Sequence, residues 1–320
     1  MRLNSADLEQ LLQLATKAAL AAGDYITQFD RTQLEVDSKC AGSSLSAQVV
    51  TQVDLDSQAL ILSVLAPSIE RYQLGALSEE NADDTQVEAQ DRFQREYFWC
   101  IDPLDGTLPF IEGRSGYAVS IALVSKSGKP VVGVVLNPPS GDLYQAINDG
   151  GNSKVVKNGQ PWLPLSSDSL PEQEGKTSPT SSEVFTLFID RSFSKDPRYQ
   201  SLLETLGTQL KSNSTDHINV INTSGAVMNA IGVLEAAPAA YIKLPKPQKG
   251  GGSLWDFSAT AAIFEALKQL GAPVAVSNIL GAPLDLNRQD SSYMNHEGVI
   301  FSVNLSPQTF IMRLSVSQMV

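Results

Sequence analysis

WCIDPLDGTLPF, residues 99 to 110, starts as a strand and ends as a turn. With Tyr97 and Phe98 ahead of it, the run to Ile101 is apolar and aromatic without polar alternation, the pattern of a strand buried on both faces. Pro103 stiffens its exit and Gly106 permits a tight turn. Asp102 and Asp105 therefore stand three residues apart on a rigid strand end, where both can face one point. Two hard anionic oxygens so placed suit Mg2+, which keeps several waters and takes few protein carboxylates. A helix starting after Gly106 would aim its first backbone amides at a phosphate. The alternative for the same residues is an acidic turn that caps a helix.

Outward from this segment, the strand pattern continues through YAVSIALVS, VVGVVLN and DLYQAI, separated by Gly, Pro, Asn and Ser clusters, which predicts an antiparallel sheet. Upstream, Leu8, Leu11, Leu12, Ala15, Ala18, Ala19, Ala22 and Ile26 keep a helical period, predicting a helix over 6–29 capped by Ser5. A second helix is predicted from about Asp56 to Tyr72, with Asp54 just ahead of it at its entry. Downstream, residues 166 to 182 are rich in Ser, Pro and charge and read as a linker or surface loop. They divide an N-terminal α+β lobe, 1–165, from a C-terminal α/β lobe, 183–320. The second lobe alternates strand and helix: 184–190, 196–210, 218–221, a small-residue helix from Ser224, AAYIK, and a helix over 255–270 ending before Gly271.

A chain of 320 residues with 42% hydrophobic and 18% charged residues has the composition of a folded globule. Its 35 acidic against 23 basic side chains leave a net charge of −12, which excludes an electrostatic footprint for nucleic-acid polymers or anionic lipid. Cys40 and Cys100 fit neither a disulfide scaffold nor a zinc site, and His217 and His296 have no Ser or Cys partner at triad spacing. MRLNSADLEQ lacks the apolar core of a secretion signal, and no apolar run nears the roughly 18 residues that span a bilayer, so the expected location is cytoplasmic.

Asp102-Pro103-Leu104-Asp105-Gly106-Thr107 resembles the signature of the inositol monophosphatase superfamily of Mg2+-dependent, lithium-sensitive phosphatases. Three further segments match that family in order: Thr51-x-x-Asp54, Leu77-Ser78-Glu79-Glu80, and Trp255-Asp256 opening a small-residue helix with Ala259 and Ala261. Within the superfamily the motif followed by Phe110-Ile111 is most similar to the 3'(2'),5'-bisphosphate nucleotidases of the CysQ type, which serve sulfur metabolism. Leu108 and Pro109 depart from the Lys-Glu pair usual there.

The resemblance implies a layered α-β-α-β-α sandwich with the metal site between two lobes, holding two to three Mg2+ ions. Glu79, Asp102 and the carbonyl of Leu104 would hold one ion; Asp102, Asp105 and Asp256 would hold the second. Thr107, within reach of Glu79, would orient the attacking water, and Asp54, supported by Thr51, would order waters on a third ion. The implied reaction is hydrolysis of a phosphate monoester without a phosphoenzyme, inhibited by Li+ and excess Ca2+. The favoured substrate is 3'-phosphoadenosine 5'-phosphate, cleaved to AMP; inositol monophosphate or a sugar bisphosphate is the alternative. Taken singly, Glu79 and Glu80 also read as an exposed loop, and Asp54 and Asp256 as acids at helix starts.

Lys243, Lys246 and Lys249 lie just ahead of Gly250, Gly251, Gly252 and Asp256, where they would attract a second phosphate or simply solvate a loop. Gly106, Thr107, Ser224, Gly225 and Asp256 complete the expected substrate contacts; the small residues at 224–226 equally suit packing. The expected partner is a small phosphate ester, with no membrane, on a monomer or homodimer. A non-enzymatic rival is a degenerate member that binds metal or a phosphometabolite and regulates a partner.

Overall fold

The computed structural model describes residues 2–33, 36–38, 49–84, 89–164, 184–211, 218–245, 252–288 and 296–305. The predicted linker, 166 to 182, lies outside these residues, as do Cys40, His217, Lys246 and Lys249.

In chain order the elements are α1 (Ser5–Gln28), β1 (Val36–Ser38), β2 (Val49–Thr51), α2 (Gln52–Tyr72), β3 (Gly75–Ser78), β4 (Tyr97–Asp105), α3 (Thr107–Ile111), β5 (Ala118–Ser125), β6 (Pro130–Asn137), β7 (Asp142–Ile147), β8 (Lys154–Lys157) and β9 (Gln160–Pro161). They continue with β10 (Phe185–Phe188), α4 (Arg198–Lys211), β11 (Ile218–Ile221), α5 (Ala226–Glu235), β12 (Ala239–Lys243), α6 (Leu254–Gln269), β13 (Val274–Ser277) and β14 (Val299–Val303).

Two predicted helix starts are corrected. Asn4, not Ser5, caps α1, because its side chain accepts from the backbone of Ala6 and Asp7 while Asp7 returns a bond to the cap. The second helix begins at Gln52, four residues before the predicted Asp56. Thr51 is its cap, and Asp54 closes a capping box from the third position.

Strands β3 to β9 form a seven-stranded sheet in chain order, antiparallel from β4 onward as predicted, with β3 parallel to β4. The second sheet has five strands in the order β11-β10-β12-β14-β13. Its β10 pairs in parallel with β11 and β12, and β14 returns antiparallel between β12 and β13.

Alternation along the strands distributes side chains to three cores. Trp99 and Ile101 face α1 and α2, whereas Phe98 and Cys100 face the opposite side. There α5 and α6 lie between the sheets, with Tyr241 and Phe301 of the second sheet on their far side. Ala240 and Ile242 point outward to Leu202, Leu206 and Leu210 of α4. The layers are thus α1/α2, large sheet, α5/α6, small sheet, α4, which is the expected α-β-α-β-α sandwich. The apolar residues of YFWCID are continuous because both faces of β4 are covered.

Helix α6 seats very closely on the large sheet at Gly133 in β6. A Cβ there would lie 2.4 Å from the carbonyl oxygen of Ala259. Among the described residues, no helix is long and apolar enough to cross a membrane.

Candidate active site

In a regular strand, residues three apart point to opposite faces. Asp102 pairs with Ser120 and Asp105 with Ala118, so three steps along β4 match two along β5. The extra residue is a β-bulge, and it turns both carboxylates to the same side. Gly106 follows at φ 84, and a Cβ there would sit 2.8 Å from the Gly116 carbonyl, so this turn requires glycine twice over.

Asp256 reaches the same place from α6. It closes a capping box with Ser253, whose N–H donates to Asp256 Oδ2 at 3.1 Å, fixing the carboxylate at the helix start. Asp102, Asp105 and Asp256 each offer an oxygen within 4.8 Å of the others. Asp102 and Asp105 are 1% and 7% exposed, so little water screens their charge. The Asp105 carboxyl is held well above the usual range, first by burial and next by the charge of Asp256. The Asp256 carboxyl is raised by burial, against the opposing charge of Lys243. A crowded group of buried carboxylate oxygens fits a hard divalent cation, which would relieve the repulsion it encloses.

Asp105 is tied to the second half of the chain. The N–H groups of Ala226 and Val227, the first of α5, donate to its two oxygens at 3.1 and 2.9 Å. The first amides of the small-residue helix therefore meet a carboxylate of the protein. Gly225 lies directly over it, since a Cβ there would come 2.3 Å from Asp105 Oδ2. Its N–H donates to Gly116, and Ser224 packs on the same glycine.

The resemblance places Asp54 in an outer position; the structure places it on Thr107, whose hydroxyl donates to Asp54 Oδ1 at 3.0 Å. The other oxygen, Oδ2, accepts from the Thr51 N–H and hydroxyl at 2.8 and 2.5 Å. Thr107 also lies 3.3 Å from the Leu104 carbonyl. Burial pushes the Asp54 carboxyl up to about 6, with the bonds from Thr51 opposing the rise and the charge of Glu79 adding to it. Glu79 opens a 3-10 turn at the end of β3 and is half-buried. Because Ser78 pairs with Ile101, the chain leaves β3 at the level of Asp102. Glu79 lies outside the trio of oxygens formed by Asp102, Asp105 and Asp256.

Lys243, at the end of β12, is seated against acids: its Nζ is 3.0 Å from Asp190 Oδ2 and 3.5 Å from Asp256 Oδ2. Asp190 in turn accepts from the Tyr241 hydroxyl at 2.7 Å. Sequence reasoning passed over Asp190 and Tyr241. The available signal was an acid closing the apolar run VFTLFI, at the end of a strand.

The inositol monophosphatase family model matches residues 7–309. A 3'(2'),5'-bisphosphate nucleotidase CysQ from Shigella flexneri is 38% identical over 144 residues, covering 43% of this chain and 51% of that protein. An inositol-1-monophosphatase from Mesorhizobium japonicum is 36% identical over 143 residues, covering 44% of this chain and 48% of that protein. The chain thus spans about half the length of the curated relatives it matches. The crystal structure of inositol monophosphatase-II from Staphylococcus aureus superposes with a TM-score of 0.64 at 20% identity, over 97% of this chain and 93% of that one. At that identity the likeness is one of fold.

Proposed function

Because the chain belongs to the inositol monophosphatase family, we propose that it is a metal-dependent phosphomonoesterase that attacks its substrate with water. The observation that carries this reading is the convergence of Asp102, Asp105 and Asp256 beside the Thr107–Asp54 pair. Asp102, Asp105, Asp256, Glu79 and the Leu104 carbonyl would hold two to three Mg2+ ions. When bound, such ions polarise phosphoryl oxygens and lower the pKa of coordinated water.

The protein's own residues then manage the proton. A water placed at the Thr107 oxygen gives up its proton there as the Thr107 hydroxyl proton passes to Asp54. The resulting hydroxide forms the new P–O bond, the bond to the departing alkoxide breaks, and that alkoxide takes a proton from solvent, to which Asp54 returns its own before the next turnover. Asp54 must be ionised to accept, and Thr51 keeps it oriented through two hydrogen bonds on its other oxygen.

The favoured substrate is 3'-phosphoadenosine 5'-phosphate, yielding AMP, supported by the likeness to the Shigella flexneri nucleotidase. An inositol monophosphate or a sugar bisphosphate is the alternative, supported by the Mesorhizobium japonicum relative. Mg2+-dependent phosphate release from the adenosine bisphosphate, inositol 1-phosphate and fructose 1,6-bisphosphate should rank the adenosine bisphosphate first. Release from none of a wider ester panel would refute the enzymatic reading and favour a regulator that binds without turnover.

A further inference from the structure

Lys243 and Asp190 take no part in the proton path above, yet they are built into its edge. The Lys243 side chain is only 12% exposed, and its ammonium lies 5.4 Å from the Phe257 ring centroid in addition to its two carboxylate neighbours. Its methylene stem runs past Gly252, where a Cβ would fall 2.9 Å from Lys243 Cε and 2.5 Å from Phe257 Cζ. Gly252 has φ +84, so the chain turns there in a conformation that glycine adopts freely. On the other side, Asp190 is itself fixed by the Tyr241 hydroxyl. The ammonium is therefore held in a fitted seat, and one of the acids it touches is Asp256 of the metal-binding trio.

We infer that Lys243 is a resident counter-cation that competes with a divalent ion for Asp256, and that Asp190 moderates this competition by drawing the ammonium away. The inference rests on the reading of the trio as a metal site. A fixed positive charge beside Asp256 neutralises it while the site holds no metal and repels a divalent ion that approaches it. Asp190, at the shorter of the two distances, offsets that charge. The pair would thus set how tightly the ion that leans on Asp256 is held, through residues that do not themselves bind it.

Two substitutions separate this from a packing role, because they act in opposite directions. Lys243→Met keeps the stem and removes the charge, so Mg2+ should bind more tightly, by about tenfold. Asp190→Asn leaves the ammonium facing only the acids of the trio, Asp256 first and Asp105 behind it, so Mg2+ should bind about tenfold more weakly. The measurement is calorimetric titration of the chelator-stripped full chain with Mg2+ at constant ionic strength, repeated with Mn2+. Tighter binding by Lys243→Met together with weaker binding by Asp190→Asn supports the inference. Equal or weaker binding by Lys243→Met overturns it, and if that variant does not fold, unchanged or tighter binding by Asp190→Asn overturns it. A wild-type chain that takes up no divalent metal refutes the site reading and the inference together, whereas wild-type uptake with the wrong response in the variants refutes only the inference.

Discussion

Thr107 donates its hydroxyl to Asp54 across 3.0 Å, linking the turn after β4 to the first turn of α2. Removing the hydroxyl should interrupt proton transfer and leave the carboxylate trio in place. Thr107→Val is expected to lower kcat by about 10²- to 10⁴-fold with little change in Mg2+ uptake, and Thr107→Ser should recover most of the loss. Steady-state kinetics beside a metal titration checks this; an active Thr107→Val enzyme would remove Thr107 from the mechanism.

Asp54 ties the metal-free fold to pH. Its carboxyl titrates at about 6 when folded, against an ordinary 3.8, chiefly because it is buried. The folded chain therefore holds this proton more tightly than the unfolded one. The resulting stability is fully present below about pH 4 and is lost as pH rises through about 6. Asp54→Asn carries no such charge, so without metal it should be more stable than wild type at pH 7.5, by up to about 3 kcal/mol, and no more stable at pH 4. Urea denaturation at the two pH values measures the difference, and a gain that persists at pH 4 would contradict this origin.

Asp105 and Asp256 are both raised above the usual carboxylate range, first by burial, so a divalent cation should stabilise the folded chain more than it does the unfolded one. Mg2+ at about a hundred times its Kd should add about 2.7 kcal/mol. Asp256→Asn should abolish most of that increment and raise the melting temperature of the metal-free protein slightly. A thermal melt with and without Mg2+ reads both effects.

Gly225 touches Asp105 so closely that a methyl group cannot be added without movement. Its φ of −66 is one any residue adopts, so the effect of a substitution is steric. Gly225→Ala should cost about 1–3 kcal/mol by displacing either Asp105 or the start of α5. It should also weaken Mg2+ binding, which the same substitution at Gly151, with open space around it, should not do.

How much of this was legible depended on the range of the interaction concerned. YFWCID was readable as a strand because Phe98, Trp99, Cys100 and Ile101 are all buried, in two different cores. The helix of Leu254–Gln269 was readable because Ser253 and Asp256 form a local cap ahead of small apolar residues. The convergence of Asp102, Asp105 and Asp256 followed from the resemblance, whereas the bulge that aims the first two leaves no trace in the sequence beyond Pro103. The Asp190–Lys243 pair was hidden because it depends on β10 lying beside β12, a parallel pairing set by tertiary topology. The cap of α1 was misplaced by one residue because Asn4 and Ser5 are both good caps, and Asp7 at the third helical position of an Asn4 cap favours the former.

The bare strand position under α6 gives the site its scale. Asp256 rides on a helix whose height above the large sheet is set where Gly133 meets Ala259, whereas Asp102 and Asp105 belong to that sheet. Any side chain at 133 would act as a wedge, lifting Asp256 away from Asp102 and Asp105. The spacing of the three carboxylates is therefore set partly by a glycine two strands away from β4.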